Sequence, residues 1–267
     1  MVMLAKDYDV FTTDPTGYWI SEKMDGIRGI WTGEKLITRN QNVIPAPSWF
    51  TDSLPRGFKL DGELFIDRNH RLQQVASIVA SIRDKGWKHI NFMVFDIPEP
   101  KGGTFEIRQS VLKTAVKHIN KPYIKTVQQI KCTGRGHLDQ AFRLIVEAGG
   151  EGLMLRKSNS PYESRRSPYL LKYKKFEMAE AIVLQYEEGE GKNVGKMGAL
   201  WCRSVHDSSS STVGPNHSLK FKVGTGFTDQ ERNNPPPIGR IITYQYQRLT
   251  ESGKPFHPSF ICIRNDS

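Results

Sequence analysis

Cysteine is scarce in this sequence, and what there is does not suit a cross-linked or metal-bound scaffold. Cys132, Cys202 and Cys262 are widely spaced and odd in number. They match neither a disulfide framework nor a zinc-ligand spacing, so reduced thiols are expected. Long apolar runs are missing too; none approaches the roughly 20 residues of a membrane span, so no membrane partner is expected. Residues 1–10 already hold Lys6, Asp7 and Asp9 and lack the apolar stretch of a secretory signal, which leads to the expectation of an intracellular, cytoplasmic protein. Acidic residues are in deficit: 38 Lys+Arg face 28 Asp+Glu over 267 residues, a formal net charge of +10.

What is present is an ordinary globular composition, 37% hydrophobic and 25% charged, with 23 Gly and 15 Pro. It excludes a collagen-like chain and argues against wholesale disorder. The length allows one large domain or two smaller ones. The charge is unevenly shared. Residues 1–177 hold 28 Lys+Arg and 19 Asp+Glu (+9), the remainder 10 and 9 (+1). A basic first part suits a polyanionic partner, although charge alone serves solubility equally well.

Residues 18–22 and 90–97 read as strands, rich in branched and aromatic residues, and 60–65 and 152–155 are short apolar runs that could be strands too. Leu72, Val75, Ala76, Val79 and Ile82 recur at helical spacing and predict a helix over 72–85, stopped by Gly86. Similar patterns predict helices over 107–119 and 138–146, the latter closed by Gly149-Gly150. Beyond about residue 177 the texture changes. Residues 179–185, 198–203, 218–223 and 241–247 read as short strands between turn-rich stretches, the pattern of a small oligonucleotide-binding barrel. The Asn-Asn-Pro-Pro-Pro run at 233–237 reads as a rigid connection. The expected domains are 1–177 and 178–267.

The chemistry-bearing strings lie mostly in the first part. Glu22-Lys23-Met24-Asp25-Gly26-Ile27-Arg28 puts a lysine at the end of a strand, before an Asp-Gly turn. Alone, such a string is commonly a solvated turn. Asp61-Gly62-Glu63 places two acids on one strand face, since i and i+2 align there. Glu151 precedes an apolar strand, and Lys172-Tyr173-Lys174 puts two amines on one face. Paired lysines repel unless something anionic lies between them, and a phosphate would remove that objection.

In this order, Lys-x-Asp-Gly-x-Arg, Asp-Gly-Glu, Phe-Asp, Glu-Gly-x-x-x-Arg and Lys-x-Lys resemble the covalent nucleotidyltransferase superfamily of DNA ligases, RNA ligases and mRNA capping enzymes. Gly224-Thr225-Gly226-Phe227-Thr228-Asp229, the run from Arg232 to Gly239 and the chain's end look like the barrel domain of minimal two-domain ATP-dependent DNA ligases. That resemblance implies an α+β adenylation domain, nucleotidyltransferase or ATP-grasp-like, followed by an all-β OB-fold domain. It implies ATP as co-substrate, a divalent metal such as Mg2+, nicked duplex DNA as partner, a monomer, and a place in DNA replication or repair. The few residues before Lys23 and the missing zinc cysteines fit ATP better than NAD.

The resemblance also implies roles. Lys23 would be the nucleophile, attacking the α-phosphorus of ATP to hold AMP through a phosphoramide. The reaction needs the neutral amine, which neighbouring cations, Lys172 and Lys174 among them, favour. Glu22, Arg28, Glu63, Phe95, Lys172 and Lys174 would bind the nucleotide, with Phe95 stacked on adenine and Glu63 and Arg28 on the ribose. Without the resemblance, Phe95 reads as core. Glu151 would hold the metal; its other reading is a buried or capping acid. Arg39 would grip the 5′-phosphate at the nick, as a planar guanidinium can. Asp25 and Asp61 would support these loops. Arg264 and Asp266 are candidates for the departing pyrophosphate, although the final Arg-Asn-Asp-Ser departs from the family's Arg-x-Asp-Lys, and Cys262 stands where many relatives carry arginine. Residues 206–217 read as an ordinary loop in place of a long DNA-encircling hairpin. Arg165, Arg166 and Lys175 would serve the DNA backbone, and the near-neutral barrel would grip it through Lys220, Lys222 and Arg232 on one face. An RNA ligase, a GTP-using capping enzyme and a non-enzymatic basic nucleic-acid-binding module stay open as alternatives.

Overall fold

The computed structural model describes residues 2–70, 72–83, 85–98, 103–205, 219–250 and 252–264. The chain divides into two units, Met1–Lys174 and Lys175–Ser267.

In the first unit the strands are β1 (Leu4–Asp7), β2 (Trp19–Glu22), β3 (Ile27–Trp31), β4 (Leu36–Ile37), β5 (Leu60–Phe65), β6 (Asn91–Asp96), β7 (Ile124–Thr126), β8 (Ile130–Lys131), β9 (Gly152–Arg156) and β10 (Arg166–Lys174). The helices are α1 (Ser48–Thr51), α2 (Leu72–Val79), α3 (Phe105–Ile119) and α4 (Arg135–Glu147). The strands form two five-stranded sheets, ordered β1-β10-β9-β2-β8 and β4-β3-β5-β6-β7. One face of the first sheet packs Ile20, Leu153, Leu155 and Leu171 against Leu138 of α4. The second sheet buries Leu60, Leu64, Phe92 and Val94 with Val75 of α2 and Leu112 of α3.

Alternation in β6 decides what faces where. Phe92, Val94 and Asp96 are buried, while Asn91, Met93 and Phe95 are only partly so, as a period of two requires. α3 ends on Asn120 in the left-handed region (φ 49°), a conformation asparagine tolerates. One expectation fails here. The helix over 72–85 stops at Val79, and a 3-10 turn, Lys85–His89, follows. Trp87 is buried and its indole donates to Ser81 O at 2.9 Å, so this ring's anchorage overrides the helical spacing, and Ile82 is left exposed.

The second unit carries β11 (Glu177–Glu188), β12 (Met197–Ser204), β13 (Lys220–Val223), α5 (Asp229–Asn233), β14 (Ile241–Tyr246), β15 (Arg248–Leu249), β16 (Pro255–Phe256) and β17 (Ser259–Ile263). The antiparallel order β13-β12-β11-β14-β17 is closed by a bridge from Thr225, just past β13, to Ser259 of β17. Ala181, Val183, Leu200, Phe221, Ile242, Tyr244 and Phe260 fill its interior. The short α5 begins with a capping box between Thr228 and Glu231, a Thr-x-x-Glu signature that the strand-oriented reading passed over. Residues 206–217 lie outside the described residues.

Candidate active site

Strand pairing brings the charged strings together. β9 lies between β2 and β10, with Leu153 opposite Glu22 and Gly152 opposite Lys174. The Lys23 N–H donates to Gly152 O at 2.9 Å, which seats Lys23 beside Glu151. Glu151 then takes both amines: Lys23 Nζ is 2.5 Å from Oε2, and Lys174 Nζ is 2.5 Å from Oε1. Gly152 has φ +146°, and a Cβ there would stand 2.1 Å from Tyr173 O. Only glycine lets β10 approach so closely. Burial alone would raise the Glu151 carboxyl, but Lys23 and Lys174 outweigh it and hold the group below its ordinary value. Burial and the Lys23 charge push the Lys174 amine down, against the pull of Glu151.

The other sheet supplies the facing wall. Arg28 and Glu63 are cross-strand neighbours on β3 and β5. Arg28 makes a two-pronged bond to the buried Asp61 (Nε–Oδ1 2.8 Å, Nη2–Oδ2 2.5 Å) and its guanidinium lies 5.4 Å from the Phe95 ring centroid. Burial pushes the Glu63 carboxyl up to about 8, with Lys23 and Arg28 only partly offsetting it. Gly26 is needed in the Lys-x-Asp-Gly string because a Cβ would meet Leu64 O at 2.3 Å; the string is therefore a packed junction between β2 and β3.

Between these walls is a cavity of about 310 Å³ lined by Glu22, Lys23, Arg28, Arg39, Glu63, Phe95, Lys172 and Lys174, with Met154, Arg156 and Phe105 among its other walls. Glu22 is itself held by Arg68 through two 2.8 Å bonds, and Lys172 pairs with Asp7 at 3.2 Å. A cavity of this size with few polar groups converging on an aromatic face suits a small ligand, and its cations suit an anionic one.

The likeness to known proteins agrees with this geometry. A family model for the ATP dependent DNA ligase domain matches residues 2–174, and one for the DNA ligase OB-like domain matches 188–264. The chain belongs to the ATP-dependent DNA ligase family. It is 38% identical to a DNA ligase of Haemophilus influenzae over 246 residues, covering 92% of this chain and 86% of that one. A solved structure from a study of DNA binding with a minimal scaffold in Lig E DNA ligases shares 38% identity, with a TM-score of 0.83 and 98% of each chain covered. A Chlorella virus DNA ligase-adenylate, 22% identical, shares the fold at a TM-score of 0.57 over 98% of each chain. The two units are accordingly the nucleotidyltransferase and OB-fold domains of this ligase family, in the order that the sequence implies.

Of the other candidates, Arg166 lines the same cavity. Asp25 is on the β2–β3 connection, and Asp61 sits behind Arg28, fully buried. Arg264, after β17, bonds Glu180 at 2.5 Å in the second unit; Asp266 lies outside the described residues. Arg165 pairs with Glu163, Arg166 donates to Ala5 O, and Lys175 pairs with Glu177. The Arg232 guanidinium donates to Met197 O, Gly198 O and Gly224 O at 3.0, 2.7 and 3.0 Å. It thereby ties barrel backbone together, a part that its place in the sequence did not announce. Lys222 is exposed, paired with Glu187 and 5.2 Å from the Trp201 ring.

Sequence reasoning missed a buried ion network under the pocket. Asp96 pairs with Arg108 (2.7 Å) and Arg156 (3.0 Å), and Arg108 also donates to Gly103 O and Ser160 O. Asp96 and Arg156 stood in plain view in the Phe-Asp and Glu-Gly-x-x-x-Arg strings without a role; Arg108 is 12 residues from Asp96 and carried no signal.

The donor set also bears on metal. Among the described residues no cluster of three or more His, Cys, Asp or Glu side chains is placed to hold an ion, and both Glu151 oxygens carry amines. Glu151, paired with two amines of the cavity wall, is the carboxylate that could meet a divalent ion carried on nucleotide phosphates, the usual habit of Mg2+. Among the described residues no helix is long and apolar enough to cross a membrane.

Proposed function

We propose that this chain seals 3′-hydroxyl/5′-phosphate nicks in duplex DNA through a covalent Lys23–AMP intermediate. The observation that carries the reading is the placement of Lys23 at the edge of the cavity, its amine on Glu151, facing a wall of Arg28, Glu63 and Phe95. In the first step the neutral Lys23 amine bonds through its nitrogen to the α-phosphorus of ATP and sheds a proton to solvent. The bond from that phosphorus to the bridging β-phosphate oxygen breaks, and pyrophosphate leaves. In the second, a 5′-phosphate oxygen of the nick takes the AMP as the nitrogen–phosphorus bond breaks. In the third, the 3′-hydroxyl oxygen bonds to the 5′-phosphorus and AMP departs.

Each side chain then has a part. Glu151 orients the amine and is the protein carboxylate for a phosphate-borne divalent ion, which when bound supplies charge neutralisation. Lys174 and Lys172 offset charge on the α-phosphate. Phe95 provides a base platform, and Arg28 and Glu63 hold the ribose. Glu22, braced by Arg68, borders the nucleotide. Arg39 lines the same cavity and would hold the nick 5′-phosphate. Sealing needs no base reading, so DNA contacts would be mostly to phosphate and sugar, and one copy of the chain suffices.

The test incubates the protein with each α-labelled nucleotide and Mg2+, then adds nicked duplex. Covalent label from ATP, lost on Lys23→Ala and discharged by nicked DNA, is the expected result. Label from GTP would favour a capping reaction, and discharge only on nicked RNA would favour an RNA ligase. No label on the wild type would leave only a nucleic-acid-binding module.

A further inference from the structure

Arg28 is held from two directions by a closed ring of hydrogen bonds that no motif in the sequence announces. Its Nε and Nη2 donate to Asp61, and its Nη1 donates to Met3 O at 2.8 Å. The Met3 N–H in turn donates to the Tyr162 hydroxyl at 3.1 Å, and that hydroxyl donates to Asp61 Oδ2 at 2.7 Å. The ring joins four parts of the fold: the segment before β1, β3, β5 and the β9–β10 connection. Its inner members are dry, with Met3 and Asp61 fully buried and Tyr162 7% exposed. Arg28, by contrast, lines the cavity. A guanidinium has five N–H groups. Three are used here, which leaves two for a ligand, and the ring fixes where those two point.

We propose that Tyr162 is a positioning residue for the nucleotide's ribose, acting through Asp61 and the Met3 backbone on Arg28. The hydroxyl is the node of the ring, since it alone both accepts from Met3 and donates to Asp61. Without it, Asp61 loses one of its two sources of alignment and the Met3 N–H has no partner in a dry site. Arg28 keeps its charge and its place in the sequence but loses its fixed direction. Directional contacts to ribose hydroxyls suffer first, while attack by Lys23, on the opposite wall, does not. The inference rests on the reading of Arg28 as a ribose contact.

The experiment measures self-adenylation of the full chain with ATP and 2′-deoxyATP for wild type, Tyr162→Phe, Arg28→Ala and Tyr8→Phe. Tyr8 donates its hydroxyl to Thr13 O and packs on the α4 side of the first sheet, so Tyr8→Phe controls for loss of a tyrosine hydroxyl as such. KM and the ratio of the two nucleotides' kcat/KM do not depend on how much of a preparation is folded, so partial unfolding leaves both readable. Tyr162→Phe is expected to raise the ATP KM about 3- to 10-fold with kcat within about twofold, and to narrow the ATP preference several-fold, with Tyr8→Phe unchanged. If Arg28→Ala raises KM and Tyr162→Phe matches wild type, the proposal fails and the ribose reading of Arg28 stands. If neither variant moves KM or the ratio, the ribose reading fails and takes the proposal with it. A fall in kcat alone, or the same change in Tyr8→Phe, assigns Tyr162 a merely structural part and overturns the proposal.

Discussion

The Lys23 amine lies 2.5 Å from Glu151 Oε2, while the other oxygen of the same carboxylate holds Lys174. One carboxylate thus keeps two ammonium groups together at the edge of the cavity. Glu151→Gln preserves the shape and removes the charge. Adenylation should fall on the order of 100-fold, the scale on which removing a preorganised electrostatic partner acts. Stability should fall by about 1–3 kcal/mol at neutral pH, less than for a fully buried pair because the side chains keep some exposure. Self-adenylation rates and thermal melts of the two proteins check both.

Glu63 ties stability to pH. Its carboxyl rises from an ordinary 4.5 to about 8 on folding, chiefly through burial. Between those values the folded chain holds a proton that the unfolded chain has lost, so folding is favoured by lower pH. The contribution is fully present below about 4.5 and is lost as pH rises through about 8. Without nucleotide, wild-type Tm should therefore decline relative to Glu63→Gln between pH 5 and pH 9, in melts run across that range. Parallel curves would show that burial does not hold the proton.

The two aromatics of β6 should part company on mutation. Base–aromatic stacking is worth about 1–3 kcal/mol by alanine substitution, so Phe95→Ala should raise the ATP KM roughly 5- to 150-fold with little loss of stability. Phe92 is fully buried, and Phe92→Ala should cost about 3–5 kcal/mol of stability. Steady-state KM and chemical denaturation separate the two effects.

In the barrel, a cation that holds backbone and one that faces solvent should behave differently. Arg232→Ala removes three bonds to carbonyls and should lower Tm, a loss of about 1–3 kcal/mol, without changing the salt slope of DNA binding. If Lys222 meets a phosphate, Lys222→Ala should leave Tm nearly unchanged and reduce that slope by about 1. Duplex titrations at several salt concentrations, with melts alongside, test the pair.

Which of these features could be read from the sequence follows from how local their causes are. The strands at 60–65 and 152–155 announce themselves as short apolar runs and α3 and α4 through periodicity, and the order of short strings around Lys23, Glu63 and Glu151 carries the family resemblance. The helix expected to run through Ile82 stops short because Trp87, six residues beyond Ser81, bonds its carbonyl. Arg232 reads as a surface cation until the carbonyls of Met197, Gly198 and Gly224 are seen to converge on it. The Tyr162–Met3 bond spans 159 residues, and no spacing rule reaches that far. Local pattern marks the residues that line the cavity; the side chains that aim them are set by tertiary pairing.

The central claim is that Lys23 carries the AMP. Its most direct test treats the protein with ATP and Mg2+, digests it under conditions that preserve a phosphoramide, and maps the adduct by mass spectrometry. The account predicts the mass of AMP on the peptide containing Lys23, absent from Lys23→Ala and removed by nicked duplex. AMP on Lys174 or Lys172 instead, or an adduct that persists in Lys23→Ala, would contradict it.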